Sequence, residues 1–134
     1  MEAKQRGADE AIILDMNGFI TECAGDNLFM IKNNVLITSP HVGGLKGITR
    51  EAILDISTFK SLEIYAVDIR DISVFEMYIA DEVFVTGTAV ELVPVIEIDG
   101  RKIGNGKPGK ITLSLQEEFR KYINEEHNSI KVVK

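Results

Sequence analysis

Short apolar runs set apart by turn signals fill the first third of the chain, and that spacing leaves room for little but strands. Ala11-Ile12-Ile13-Leu14 is a continuous apolar run, the pattern of a buried strand. Asp15-Met16-Asn17-Gly18 follows and ends in an Asn-Gly turn signal. Phe19–Thr21 then returns as the second strand of a hairpin. Asn27–Lys32 and Val35–Thr38 read as a third and fourth strand. Asn33-Asn34 between them makes a tight turn, because Asn tolerates positive φ. Strands this close together form an antiparallel meander.

The remainder mixes helix and strand. Ser39–Lys46 is a loop with Pro and Gly. From Gly47 onward Ile48, Ala52, Ile53, Ile56 and Phe59 or Lys60 share one helical face. Leu62–Ile69 alternates, which points Ile64, Ala66 or Val67, and Ile69 inward. Asp71–Tyr78 reads as a short helix capped by Asp71, with Val74, Phe75 and Met77 inward. Glu82–Thr86 is a strand interrupted by Gly87-Thr88-Ala89. Glu91–Asp99 turns at Asp99-Gly100 into Arg101–Ile103. The Gly104–Gly109 loop leads to a helix over Ile111–Ile123, with Asn124–Lys134 as a tail. Met1–Arg6 reads as the end of a helix stopped by Gly7. The expected fold is one α+β domain of mostly antiparallel strands with three or four helices.

Composition narrows the function classes. The 134 residues suit one domain, and 45% of them are hydrophobic, enough for a core. A formal net charge of -6 argues against binding a phosphate backbone. No apolar run has the length of a membrane span or the form of a signal peptide. Cys23, the single cysteine, makes no internal disulfide, so a cytoplasmic setting is expected. His41 and His127 are isolated, so no zinc site is expected.

Three stretches carry candidate chemistry. Glu22 stands where the apolar run Phe19–Thr21 gives way to Cys23-Ala24-Gly25-Asp26. A strand-end carboxylate is most often solvated, but one held against a protonated ring nitrogen would tune a pyridine cofactor. Gly47-Ile48-Thr49 opens a helix, where free N–H groups and the Thr49 hydroxyl favour an anion such as phosphate; ordinary capping is the plainer explanation. Thr86-Gly87-Thr88-Ala89 ends a strand with two hydroxyls around a glycine; its exposed N–H groups and the Thr88 hydroxyl suit a phosphate or carboxylate, and a β-turn or bulge is the plainer explanation. No histidine has a sequence position that argues for pairing with Cys23, so that thiol reads as a spectator.

In this order, the stretches resemble the C-terminal part of the branched-chain amino acid aminotransferases, fold-type IV pyridoxal phosphate enzymes. The likeness runs through Leu14-Asp15, Gly18-Phe19-Ile20-Thr21-Glu22 and Gly25-Asp26-Asn27-Leu28-Phe29. It continues in Gly47-Ile48-Thr49-Arg50, Ala80–Phe84, Thr86–Ala89 with Val93-Pro94-Val95, and Gly104–Gly109 with Leu115-Gln116. The last of these favours the branched-chain group over D-amino acid aminotransferases and aminodeoxychorismate lyases. Cys23 departs from the small residue usual in the family, and Asp26 from the Glu of many relatives.

The resemblance implies pyridoxal 5'-phosphate as cofactor. It implies a barrel-like sheet of mostly antiparallel strands with flanking helices, the large C-terminal domain of the fold type. Glu22 would pair with the pyridine nitrogen, Ile48 and Thr49 would hold the phosphate, and Thr88 would add a phosphate contact. Thr88 and Ala89 backbone groups would receive the substrate carboxylate. No lysine here matches the family's Schiff-base lysine, which is expected upstream of Met1. Residues 1–134 are therefore expected to be the N-terminally truncated C-terminal domain of an aminotransferase, inactive alone and prone to self-association through apolar surface left uncovered. The parent would exchange amino groups between branched-chain amino acids and 2-oxoglutarate as a homodimer or larger oligomer, without nucleic acid, membrane or metal. The alternatives are D-amino acid transamination, lyase action on the same fold, or a non-catalytic binding or assembly module.

Overall fold

The computed structural model describes the backbone of residues 12–14, 16–23, 27–40, 45–86 and 92–133, and the side chains of residues 16–20, 27–40, 49–86 and 92–125. The expected helix end at Met1–Arg6 lies outside the described residues. Strands β1 (Ile12–Leu14) and β2 (Ile20–Cys23) pair antiparallel, with a register shift between Ile13 and Leu14. Gly18 sits in the turn between them at φ +85°, a conformation open to glycine without steric cost. Next come β3 (Asn27–Lys32) and β4 (Val35–Thr38), joined as expected through Asn33 and Asn34 at φ 51° and 63°.

Helix α1 (Leu45–Ile56) and a 3-10 turn (Lys60–Leu62) lead to β5 (Ala66–Ile69). A short helix α2 (Val74–Tyr78) precedes β6 (Glu82–Thr86) and β7 (Leu92–Val95). A two-stranded ribbon, β8 (Glu97–Ile98) and β9 (Arg101–Lys102), precedes α3 (Lys110–Val133). The main sheet runs β5-β4-β3-β6-β7. All its pairings are antiparallel except β4 with β5, which are parallel because α1 carries the chain across. Among the described residues this sheet is open, with β5 and β7 at its edges, and does not close into a barrel.

Both faces of the sheet are covered, which explains the unbroken apolar runs of β3 and β6. One face places Phe29, Ile31, Leu36, Phe84 and Leu92 against Ala52, Ile53 and Ile56 of α1 and Ile111, Leu115 and Phe119 of α3. Phe29 and Phe84 stack there at 4.9 Å between ring centroids. The other face packs Leu28, Met30, Ile37, Val83 and Val85 against Ile20, Ile72, Met77, Ile98 and Ile103.

Several expectations are corrected by this packing. Helix α1 begins at Leu45, two residues before Gly47, and ends at Ile56, so Phe59 and Lys60 fall outside it and are exposed. β5 is exposed along its whole length, Val67 and Ile69 included, because it is an edge strand that no helix covers. Ile64 is half-buried, but outside that strand. The cap of α2 is Ser73, not Asp71: its hydroxyl accepts from Glu76 N–H while the Glu76 carboxylate accepts from Ser73 N–H. Phe75 points to solvent at 69% exposure, and Met77 alone of that helix is fully buried. Glu91–Asp99 is broken at Ile96 into β7 and β8, and the expected tail from Asn124 continues α3 to Val133.

Candidate functional site

Register brings to one end of the sheet the strand ends that flank the expected stretches. Asn27, which opens β3, pairs with Thr86, which closes β6, and Thr86 pairs with Leu92, which opens β7. The start of β3, the end of β6 and the start of β7 therefore lie side by side. Phe29 pairs with Thr38, so β4 also ends here, and with it begins the connector that leads to α1. β5, parallel to β4, ends beside it at Ile69, and Arg70 N–H donates to Thr38 O at 3.0 Å.

Glu22 lies on β2 opposite Ile13, two residues before connector 24–26; its side chain is outside the described residues. β2 is held by Ile20 N–H donating to Ile72 O at 2.8 Å and by the pairing of Phe19 with Ser73. Ile48 and Thr49 are the fourth and fifth residues of α1, and Thr49 is half-buried. Starting the helix at Leu45 makes Ile48 the first residue whose N–H can bond a carbonyl one turn back, so the free N–H groups of α1 lie just before it. Thr88 and Ala89 lie outside the described residues, in the connector between Thr86 and Leu92.

Two polar side chains at this end stand out by what they lack among the described residues. Thr86 is fully buried, on the helix-covered face with Phe84, and its hydroxyl has no hydrogen-bond partner. Arg50, in the second turn of α1, is 8% exposed. Its Nη2 donates to Ser39 O at 3.3 Å, its Nη1 lies 3.7 Å from the Glu51 carboxylate, and its Nε has no partner. Neither side chain carries a functional signal of its own in the sequence. The readable signal for Arg50 was its place one turn before Ile53, on the flank of the buried face.

Arg70, just beyond the end of β5, is by contrast fully engaged. Its Nη1 lies 2.7 Å from Glu76 and its Nε 3.0 Å from Asp68. The hydrogen bond to Glu76 raises the Arg70 pKa against the opposing effect of burial. Burial works against the Glu76 charge, but the Ser73 N–H and the Arg70 guanidinium outweigh it and hold that carboxyl below its ordinary value. Among the described residues no cluster of His, Cys, Asp and Glu could hold a metal ion. No described helix is long and apolar enough to cross a membrane.

An end of a sheet with unspent buried donors beside a helix start can hold an anion. Known proteins have matching architecture. A branched-chain-amino-acid aminotransferase of Pseudomonas aeruginosa is 45% identical over 121 residues, which cover 88% of this chain and 38% of that protein. The chain thus spans about two fifths of the length of the curated relatives it matches. The structure of the T.th. branched-chain amino acid aminotransferase with pyridoxamine 5'-phosphate superposes with a TM-score of 0.79 at 43% identity, covering 89% of this chain and 38% of that one. The same enzyme complexed with N-(5'-phosphopyridoxyl)-L-glutamate also gives a TM-score of 0.79. The family model for amino-transferase class IV matches residues 1–98, and the chain belongs to that family.

Proposed function

We propose that this chain is the cofactor-binding C-terminal part of a branched-chain amino acid aminotransferase that uses pyridoxal 5'-phosphate. The observation that carries the reading is the meeting, at one end of the sheet, of the strand ends that flank these stretches: Asn27, Thr38, Thr86 and Leu92. The α+β arrangement would then be the large domain of the fold-type IV enzymes, with its barrel-like sheet completed by segments beyond the described residues. The unspent donors fit a phosphate: the free N–H groups of α1's first turn, and the buried Thr86 hydroxyl without a partner.

In this reading each residue has one task. Ile48 N–H and the Thr49 hydroxyl bind the phosphate, and the Thr88 hydroxyl adds a contact from the neighbouring connector. Thr88 and Ala89 backbone groups receive the substrate carboxylate. Glu22 holds the proton on the pyridine nitrogen. When bound, pyridoxal phosphate supplies the electron sink that amino-group exchange requires. The lysine that would carry the cofactor covalently is expected outside these 134 residues, so the chain alone is expected to be inactive. The full-length protein would be cytoplasmic and a homo-oligomer, with small amino acids and 2-oxo acids as its partners.

A substrate panel on the full-length protein tests the reading. Leucine, isoleucine and valine should each donate an amino group to 2-oxoglutarate. Use of D-alanine with leucine ignored would replace it by D-amino acid transamination, and carbon–carbon cleavage without amino transfer by lyase action. A reading frame lacking any upstream lysine-bearing segment would favour a non-catalytic module.

A further inference from the structure

Arg50 is buried at a point where a positive charge is costly. Its guanidinium offers several donors, yet one makes a long hydrogen bond, to Ser39 O, and one faces Glu51, whose side chain is 68% exposed. Among the described residues the Nε is left with nothing. A buried cation with so little compensation destabilises the fold unless something else uses it.

Its place on the helix makes the cost larger. Side chains on a helix lean toward its N-terminus, and Arg50 reaches Ser39 O, just past the end of β4. The charge therefore adds to the positive end of the helix dipole, the end that repels cations and attracts anions. Both unfavourable terms change sign once a multiply charged anion sits at the first turn of α1. The bond to Ser39 O has a second effect. It ties the helical turn that bears Gly47, Ile48 and Thr49 to the end of β4.

We propose that Arg50 is a positioning residue for the cofactor phosphate: it clamps the turn that bears Ile48 and Thr49 and places a buried positive charge behind their donors. This rests on the proposed cofactor. The donors of Ile48 and Thr49 touch the phosphate, and Arg50 acts through them and through its field. The buried, unpartnered Thr86 hydroxyl on the helix-covered face, where β6 ends, is a second unspent donor at the same end of the sheet.

The test compares pyridoxal 5'-phosphate with pyridoxal, which lacks the phosphate, in the full-length protein. Binding is followed by the cofactor's own absorption for wild type, Arg50→Met and Arg50→Lys. Arg50→Met should weaken pyridoxal phosphate roughly tenfold or more and leave pyridoxal unchanged. Arg50→Lys, which keeps the charge but not the fork, should recover part of the loss. Equal weakening of both ligands would mean a purely structural role and would overturn the proposal, as would an unchanged affinity for pyridoxal phosphate. Should Arg50→Met fail to fold, the same contrast read on Arg50→Lys decides: a loss confined to the phosphorylated ligand supports the proposal, and an equal loss or none defeats it. A wild-type protein that binds neither ligand would instead sink the cofactor reading, and this inference with it.

Discussion

The two ends of the main sheet spend their polar groups to different degrees. At the end where β3 meets β4, polar groups find partners close by. Asn33 N–H donates to the Asp81 carboxylate at 2.8 Å, Asp81 N–H to Ile31 O at 2.8 Å, and Lys32 Nζ to Ile79 O at 2.9 Å. Asn34 Nδ2 reaches Glu63 O at 2.9 Å. The Glu82 carboxylate accepts from Ile111 and Thr112 N–H and so caps α3 from across the fold. At the other end, Thr86 and Arg50 bury donors that nothing among the described residues accepts. One end uses most of its polar groups for stability, although the Thr112 hydroxyl beside Glu82 is also buried without a partner among the described residues. The other leaves more of its buried donors unmatched among the described residues, at a cost that the remaining core has to offset.

Substitutions at each end should therefore behave differently, and the largest contrast concerns turnover. Glu22→Ala in the full-length protein should lower the transamination rate on the order of 100-fold or more, while the thermal midpoint stays close to wild type. A rate near wild type would remove Glu22 from the cofactor.

Next in size is the shared core. Phe84→Ala removes half of the stacked pair that supports both ends and should cost about 3–5 kcal/mol in urea unfolding. A much smaller loss would show that α1 and α3 close over the gap.

Smaller effects of opposite sign test the comparison most directly. Thr86→Val removes a buried hydroxyl without a partner and should raise stability by about 1 kcal/mol. Asp81→Ala takes away the acceptor of Asn33 N–H and should lower it by about the same amount. If both variants lost stability, the site end would not be holding donors in reserve. Ser73→Ala breaks the capping box of α2 and should cost about 1 kcal/mol.

The smallest effect depends on pH. The Glu76 carboxyl is held below its ordinary value in the folded state, so its contribution is present at neutral pH. It is lost as pH falls through the ordinary carboxylate range and below it. Wild type and Glu76→Gln should differ in urea midpoint at neutral pH and converge in acid. A gap that persisted in acid would rule out the charge as its source.

Much of this fold was legible in the residues. β3, β4 and β6 run where their apolar stretches do, because strands covered on both faces must be apolar throughout and turn residues bound them. The spacing of Ile111, Leu115, Glu118 or Phe119, and Tyr122 marked the inward face of α3, and of the two alternatives Phe119 is the buried one. The cap of α2 was also there to be read: Ser73 and Glu76 stand in capping-box spacing, a stronger signal than Asp71. β5 was not legible. Its alternation is that of a half-buried strand, and only its place at the sheet edge exposes both faces. Of the site, the stretches around Glu22, Thr49 and Thr86 could be picked out one by one. The meeting of the strand ends that flank them could not, since it depends on the pairing of Asn27 with Thr86 and of Phe29 with Thr38.

By itself the sequence determined the order of strands and helices, the residues of the core and the family of the chain. Local periodicity and turn chemistry act over a few residues and so are written into them. Tertiary structure decided which strand lies at an edge, which strand ends meet and which buried donors stay unpaired. Those outcomes depend on register between distant segments and on what covers each face. Arg50 shows the difference: in the sequence it is one more helical cation, and in the fold it is a buried charge at the positive end of a helix.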